Sequence, residues 1–483
     1  MLPAPRSILA GLTRPVVVGF LITASLALAL AQSIFEVPIQ VSDSLEPIVV
    51  ATRAESTPEL FVQTLHSSAS TLRPMRYVQA RWLVMLAERI GVSYNAVFRG
   101  AHAALVVALL FVFTSSLTVS TWIDIAALGI ALTVLIGLHT FSGMVLEAYP
   151  VNHYAVVAFA ALAVFAMARR RHRMSTDVSV GLLLTFCLLL IESGALVWLV
   201  VVVCALAGLP GIKRSTVLLA TAIVLLYAGA RHELGIGVTT IGSHGSGYWD
   251  TFYSEQELEA KFGSHPLPFL AYNAIGGALS VLFSEPRYGV YQILDAVKRD
   301  RLSPVVIINI VSSALLTLVI GWQMVQSFRR RRRDWSTADR ILLIAAVVLA
   351  ANAAMCGPYM KDEILSVAGV FYALAAFVAV QALLQHATTH SPSRHALALV
   401  ILFIAASAPL WAFRAAGVHY QLRLAAYNER NEWTWVLRPE TRTEWPFDAR
   451  QLALTRRLKE EALQRRVASP HFLPRWGGPY WVE

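Results

Sequence analysis

Apolar residues in this chain fall into long runs separated by short polar or basic stretches. The runs cover Pro15–Phe35, Ala101–Val119, Ile123–Thr140, Tyr154–Ala168, Val178–Leu209, Thr216–Gly229, Pro304–Gln326, Ile341–Cys356, Leu365–Gln385 and Ala396–Phe413. Most approach the roughly 20 residues that a helix needs to cross about 30 Å of hydrocarbon. Backbone groups in lipid must be satisfied within the segment, which makes helices the natural spanning form. The ten-residue alternation of barrel strands is absent. Val178–Leu209 is interrupted only at Glu192-Ser193-Gly194, and two short arms turning there return Lys213-Arg214 to the starting side. The pattern therefore predicts an all-α, polytopic helix bundle of about eleven spans.

The first long polar interruption follows the first run, from residue 36 to 100. Within it, Thr57 to Ser68 and Arg76 to Ile90 carry apolar residues at helical spacing and predict helices lying on a membrane surface. Pro74 suits a helix start, and Tyr77 and Trp82 suit the interface. A second large polar segment, 231–303, holds the Gly/Ser-rich stretch 241–247 and an apolar stretch, Leu267–Phe283, that is re-entrant, interfacial or helical within the outer region. Residues 414–483 mix Trp433, Trp435, Trp445, Trp476 and Trp481 with charges, as a small folded or interface-resting cap does. The expected organisation is a membrane domain over 1–413 and a C-terminal cap over 414–483.

Composition agrees with this class: 56% of residues are hydrophobic and only 14% charged, too apolar for an ordinary soluble protein. The net charge of +10 raises nucleic acid as a partner. The basic residues instead cluster at the ends of apolar runs, at Arg169–Arg173 and Arg329–Arg333, as cytoplasmic topology signals do. With Arg6 and Arg14 ahead of the first run, the N-terminus is expected inside and the C-terminus outside. The first run is kept as a span, being long for a signal core and lacking a small-residue cleavage site. Cys187, Cys204 and Cys356 lie in predicted spans without CxxC spacing, so neither zinc nor a disulfide framework is indicated.

The candidate chemistry lies at the outer ends. Asp43, held just beyond the first span, is the leading candidate base, and a helix-capping Asp is the plain alternative. Glu46 is a second acid or a first-turn helix residue. Glu147 either orients an acceptor, helps bind a metal, or is a loop-end charge. Glu192 sits in a tight turn that also suits simple solvent exposure. Arg73, Arg76, Arg81 and Arg99 are candidates for phosphate, or for ordinary lipid headgroup contact. Lys361, in the turn Pro358–Glu363 with Tyr359, is the only lysine or arginine in the short outer turns and the more pointed phosphate partner. His139 and His153 bracket the Glu147 loop, but no HExxH-type pattern supports a metal there.

In order and placement these features resemble the GT-C superfamily of polyprenyl-phosphate-sugar-dependent glycosyltransferases, in the branch holding protein O-mannosyltransferases and the lipid A aminoarabinose transferase. The resemblance rests on Asp43 with Glu46, Arg73-Pro74-Met75-Arg76-Tyr77, Val97-Phe98-Arg99-Gly100-Ala101, the Glu192-Ser193-Gly194 turn and the Tyr359–Glu363 turn, across roughly residues 15–385. Here the first-loop acids are three apart and not adjacent, and Arg73-Pro74 stands in place of a double proline. The resemblance implies a polyprenyl-phosphate-linked sugar as donor, with a divalent metal as an option. The acceptor would be a glycan, lipid or protein at the outer face of a bacterial inner (plasma) membrane. Asp43 and Glu147 would be catalytic, and Glu46, Arg73, Arg76, Arg99, Glu192, Tyr359 and Lys361 would bind substrate. Membrane lipids are expected partners and nucleic acid is not. A transporter or lipid flippase, and a non-catalytic assembly protein, are the alternatives.

Overall fold

A computed structural model describes residues 14–67, 72–146, 151–236, 247–248, 251–252, 254–283, 289–300, 302–329, 335–389, 394–437 and 447–467. The chain is dominantly helical, as expected. It opens with α1 (Pro15–Glu36), followed by three shorter helices, α2 (Ser42–Val50), α3 (Thr57–Ser67) and α4 (Pro74–Ile90). Then come α5 (Tyr94–Ser115), α6 (Trp122–Gly137), α7 (His139–Leu146), α8 (His153–Ala168), α9 (Met174–Leu188), a 3-10 turn (Glu192–Gly194), α10 (Ala195–Leu206) and α11 (Arg214–Glu233). Two-residue strands β1 (Gly247–Tyr248) and β2 (Thr251–Phe252) precede α12 (Glu255–Phe262), α13 (Leu267–Phe283), α14 (Gly289–Lys298), α15 (Pro304–Phe328) and α16 (Thr337–Met355). β3 (Tyr359–Met360), a 3-10 turn (Asp362–Leu365), α17 (Ser366–Thr389), α18 (Arg394–Trp433) and α19 (Ala449–Gln464) complete the order.

Local sequence sets most of the boundaries. Proline occupies the first helical turn of α1, α4 and α15, where its missing N–H costs nothing. Ser93 caps α5 by accepting from the Ala96 N–H, and Thr121 with Asp124, and Ser336 with Asp339, form reciprocal capping boxes on α6 and α16. Gly91, at φ +66°, ends α4 in the left-handed conformation.

Among the described residues, seven helices are long and apolar enough to cross a membrane, or nine if each of two bent pairs is one span. The pairs are α6 with α7, bent by 61°, and α12 with α13, bent by 83°. Each of the eleven expected spans contains a helix. However, α8, α9 and α10, at 16, 15 and 12 residues, fall short of a free crossing by length alone.

Two ends of the bundle are distinct. At one end, Gly211 N–H donates to Ala168 O, Arg340 to Gly208 O and Arg169 to Thr118, while Asp177 accepts from His172, Ser215 and Thr216. That end carries Arg169–Arg171, Arg173, Lys213 and Arg214. At the other end, Met75 N–H donates to Leu189 O, Asn273 to Gly357 O, and β1 pairs in parallel with β3. α13 starts here, with Gly277 against Cys356 and Leu365, and ends where Leu282 O accepts from Thr317, halfway along α15. Because α15 starts again at the same end as α13, α13 enters the bundle without crossing it.

One boundary differs from expectation. The last span was expected to stop at Phe413, but α18 runs on to Trp433, 40 residues and about 60 Å. The extension persists because it remains amphipathic: Val418, Leu422 and Ala426 bury in the main core and Trp433 in a second one. That second core joins Leu45, Ile48 and Val49 of α2, Leu60 of α3, Ala80, Val84 and Ala87 of α4, and Leu454, Leu458 and Ala462 of α19. The C-terminal helix therefore packs onto the interruption that follows the first span.

Candidate functional site

The second core fixes the helices that present the candidate residues. α2 carries Asp43 in its first turn and Glu46 three positions later. Glu46 Oε1 accepts a hydrogen bond from the Tyr77 hydroxyl at 3.2 Å, across to the first turn of α4. Burial, and then the nearby Glu46 charge, push the Tyr77 phenol above its ordinary pKa, so it remains a donor at neutral pH. Arg76 neighbours the same phenol and opposes that shift.

Arg73 stands immediately before α4 and reaches the turn between α9 and α10. Its Nε and Nη2 donate to one Glu192 oxygen at 3.0 and 2.6 Å. Arg231, near the C-terminus of α11, donates from Nη1 to the other oxygen at 3.1 Å and to the Tyr227 hydroxyl at 3.2 Å. Glu192 is therefore bracketed by two guanidinium groups from segments far apart in sequence. Burial raises the carboxyl pKa, but Arg73 and then the hydrogen bonds to it outweigh that and hold it below its ordinary value. The three side chains are 29%, 33% and 16% exposed for Arg73, Glu192 and Arg231, so the cluster is open to solvent at its rim. Its turn is tightly built: Gly194 lies against the main chain of Cys187 and Leu188 so closely that a Cβ would sit 2.4 Å from Cys187 C.

Lys361 forms a separate pair. Its Nζ lies 2.6 Å from Glu363 Oε1, and Glu363 is buried. Asp362 Oδ1 is 3.5 Å from His139 Nε2, and Gly143 of α7 sits against the Glu363 backbone. α7 is held from several sides: His102 hydrogen-bonds Met144 O at 2.8 Å, and Asn152 donates to Gly143 O at 2.9 Å. The break that creates α7 follows Gly137, whose carbonyl accepts from Arg414 Nε at 3.2 Å. Arg414 Nη1 also donates to Ser312 and Ser313, each at 2.8 Å, and its guanidinium lies 4.1 Å from the Trp411 ring centroid. Arg414 thus satisfies a carbonyl that the broken helix cannot.

The remaining sequence candidates divide. Tyr359 lies in β3, opposite Gly247 in β1. Arg81 donates to the carbonyls of Ala51, Ala54 and Glu55, which ties α4 to the segment after α2. Arg99, expected among the phosphate-binding residues, is fully buried, with Nε and Nη2 both donating to Pro38 O. In this conformation it braces the exit from α1 and does not face solvent. Glu147 and the Gly/Ser-rich 241–246 lie outside the described residues. Among the described residues no group of three His, Cys, Asp or Glu side chains could hold a metal ion, and His139 and His153 do not form one. The three cysteines are buried and free.

Sequence reasoning missed Arg231, Tyr227 and Arg414. Arg231 reads as an ordinary basic residue near a helix end, and Arg414 as the first residue beyond a span. Only their partners give them meaning. Compared with known families, curated proteins and solved structures, the chain matches none.

Proposed function

We propose that this chain is an integral membrane glycosyltransferase. It would move a sugar from a polyprenyl-phosphate donor to a lipid, glycan or protein acceptor at the face of the membrane that carries Glu192. The observation that supports this reading best is the gathering of Glu46, Arg73, Glu192, Arg231 and the Lys361–Glu363 pair, from distant segments, at one end of an apolar bundle. The basic residues of the described connections at the opposite end fit a cytoplasmic face, and hence eleven spans with the N-terminus inside.

In this mechanism Asp43, one helical turn ahead of Glu46, removes the proton from the acceptor hydroxyl or amine. The acceptor then attacks the anomeric carbon with inversion, and the bond to the lipid phosphate breaks. The phosphate leaves as an anion beside the arginines, whose positive charge lowers the cost of that departure. The helices of the second core hold α2 in place for this step.

A broken helix and a buried Arg414 are also features of transporters, where discontinuous helices meet near the membrane midplane. Here the break comes after the 16 residues of α6, about 24 Å from the Arg169 end, which puts it nearer the opposite surface than the midplane. That depth favours surface chemistry. The direct test is Asp43→Asn in purified, reconstituted protein, with sugar transfer from a polyprenyl-phosphate donor as readout. The expected result is a loss of at least ~100-fold with folding retained, the scale of general-base catalysis. Unchanged transfer would remove Asp43 from the mechanism.

A further inference from the structure

We infer that a polar seam between the two apolar cores is a buried hydration site, where the α5 row Asn95, Arg99 and His102 binds ordered water. The seam would stand whether or not the chain transfers a sugar.

Three segments pass from one core to the other, and each changes character at the crossing. At the exit from α1, Val37 belongs to the main core and Ile39 to the second. Along α5, Phe98 belongs to the second core and Ala103 to the main one. Along α18, Ala426 belongs to the main core and Trp433 to the second. Between these pairs lie the Pro38 carbonyl, the Arg99 and His102 side chains, and Glu429. They meet one another: Arg99 donates to Pro38 O and lies within electrostatic reach of both Glu429 and His102. The two cores are therefore divided by a polar layer.

That layer holds buried groups whose hydrogen bonds are unmet. Asn95, Arg99 and His102 stand four and then three positions apart, a spacing that puts them on one face of α5. All three are buried. Among the described residues, Asn95 Nδ2, Arg99 Nη1 and His102 Nδ1 have no hydrogen-bond partner. The remaining atoms of each side chain fix what it can offer. Asn95 Oδ1 accepts from the Ile39 N–H at 2.6 Å, so Nδ2 is a donor. Arg99 commits Nε and Nη2 to Pro38 O, which leaves the Nη1 protons. His102 Nε2 meets Met144 O at 2.8 Å; a carbonyl can only accept, so Nε2 carries the proton. Buried like charges repel, and beside the Arg99 cation the imidazole is neutral, with Nδ1 as an acceptor.

The ligand must accept from Asn95 and Arg99 and donate to His102. That is the chemistry of a hydroxyl, and water is the form of it that fits a row sealed from solvent. Buried waters typically make about three such bonds to otherwise unsatisfied groups. A small anion answers the two donors but not His102 Nδ1, and Glu429 already supplies negative charge opposite Arg99. Arg99 then serves water and the Pro38 carbonyl, not a phosphate.

The test is X-ray hydroxyl-radical footprinting of the full chain in detergent, with water labelled with oxygen-18 as the probe. Radicals formed from bound water label the side chains beside it even where bulk solvent does not reach. After correction for intrinsic reactivity, His102 is expected to label at least severalfold faster than Phe165, which is equally buried but lies in the apolar core. Arg99→Met, which keeps an unbranched chain and loses the donors, should bring His102 down to the Phe165 level, whereas Arg99→Lys should retain most of the labelling. If His102 labels no faster than Phe165 in the wild-type chain, there is no water in the seam; this comparison stands by itself if Arg99→Met does not fold. Unchanged labelling in folded Arg99→Met removes Arg99 as a ligand. Crystals grown with bromide test the charge of the ligand: no anomalous peak is expected at Arg99, and one within hydrogen-bond distance of Nη1 would replace water by an anion and overturn the inference.

Discussion

Replacing Gly194 by alanine tests how the fold holds the Glu192 turn. Gly194 has ordinary right-handed helical backbone angles, with φ at −53°, so alanine pays no conformational penalty there. The cost is steric. An added Cβ would lie 2.4 Å from Cys187 C, 2.5 Å from its carbonyl oxygen and 2.6 Å from Leu188 N, all of them main-chain atoms. Carbon atoms pack at about 3.5–4.0 Å, so the turn and the end of α9 must separate by roughly 1 Å. Overpacking of this kind costs about 1–3 kcal/mol. A 1 Å displacement also stretches the 2.6 Å contact between Arg73 and Glu192 beyond hydrogen-bond range. That pair is about one-third exposed, so its loss adds about 1 kcal/mol or less. The expected destabilisation is therefore about 1–4 kcal/mol, with the interaction between positions 73 and 192 abolished. Equilibrium unfolding of the detergent-solubilised protein measures the first, and a double-mutant cycle on Arg73 and Glu192 in the Gly194→Ala background measures the second. Gly229, in α11 with open space around it, is the control, where alanine should change stability by less than about 1 kcal/mol in the favourable direction. If Gly194→Ala matches Gly229→Ala and the coupling survives, the tight turn does not position Glu192.

Other expectations concern the charges and the C-terminal helix. The folded-state pKa of Glu192 lies below its ordinary value, so its contribution to stability is complete above the ordinary carboxylate range and is lost as pH falls through the lowered value. Unfolding temperature followed from pH 7 to about 3 should show an acid-side loss that is absent in Glu192→Gln. Glu461 of α19 accepts from the N–H groups of Tyr94 and Asn95 at 3.2 and 3.0 Å, capping α5. Glu461→Ala should cost about 1 kcal/mol in equilibrium unfolding, and unchanged stability would separate α19 from that role.

The sequence by itself determined the class. Alternation of apolar runs with basic clusters specifies a helical membrane bundle, because lipid demands internally bonded backbone and the charged residues must sit at its ends. It also located helix starts, since Pro74, Ser93 and Thr121 act on neighbours within a turn. Asp43, Glu46, Arg73, Glu192 and Lys361 were legible as candidates because charges are sparse in so apolar a chain.

Which candidates act together was decided only by tertiary structure. Arg73 meets Glu192 across 119 positions, and Arg231 joins them from a helix that carries no sequence signal for it. Lys361, read from the sequence as a phosphate partner, is paired with Glu363, two positions away. Arg99 faces a backbone carbonyl, and the chain beyond Phe413 continues as helix and closes on the first polar interruption. The physical reason is range. Helix caps and hydrophobic periods are local and are written in adjacent residues, whereas ion pairing depends on distances that are fixed only when separate helices pack.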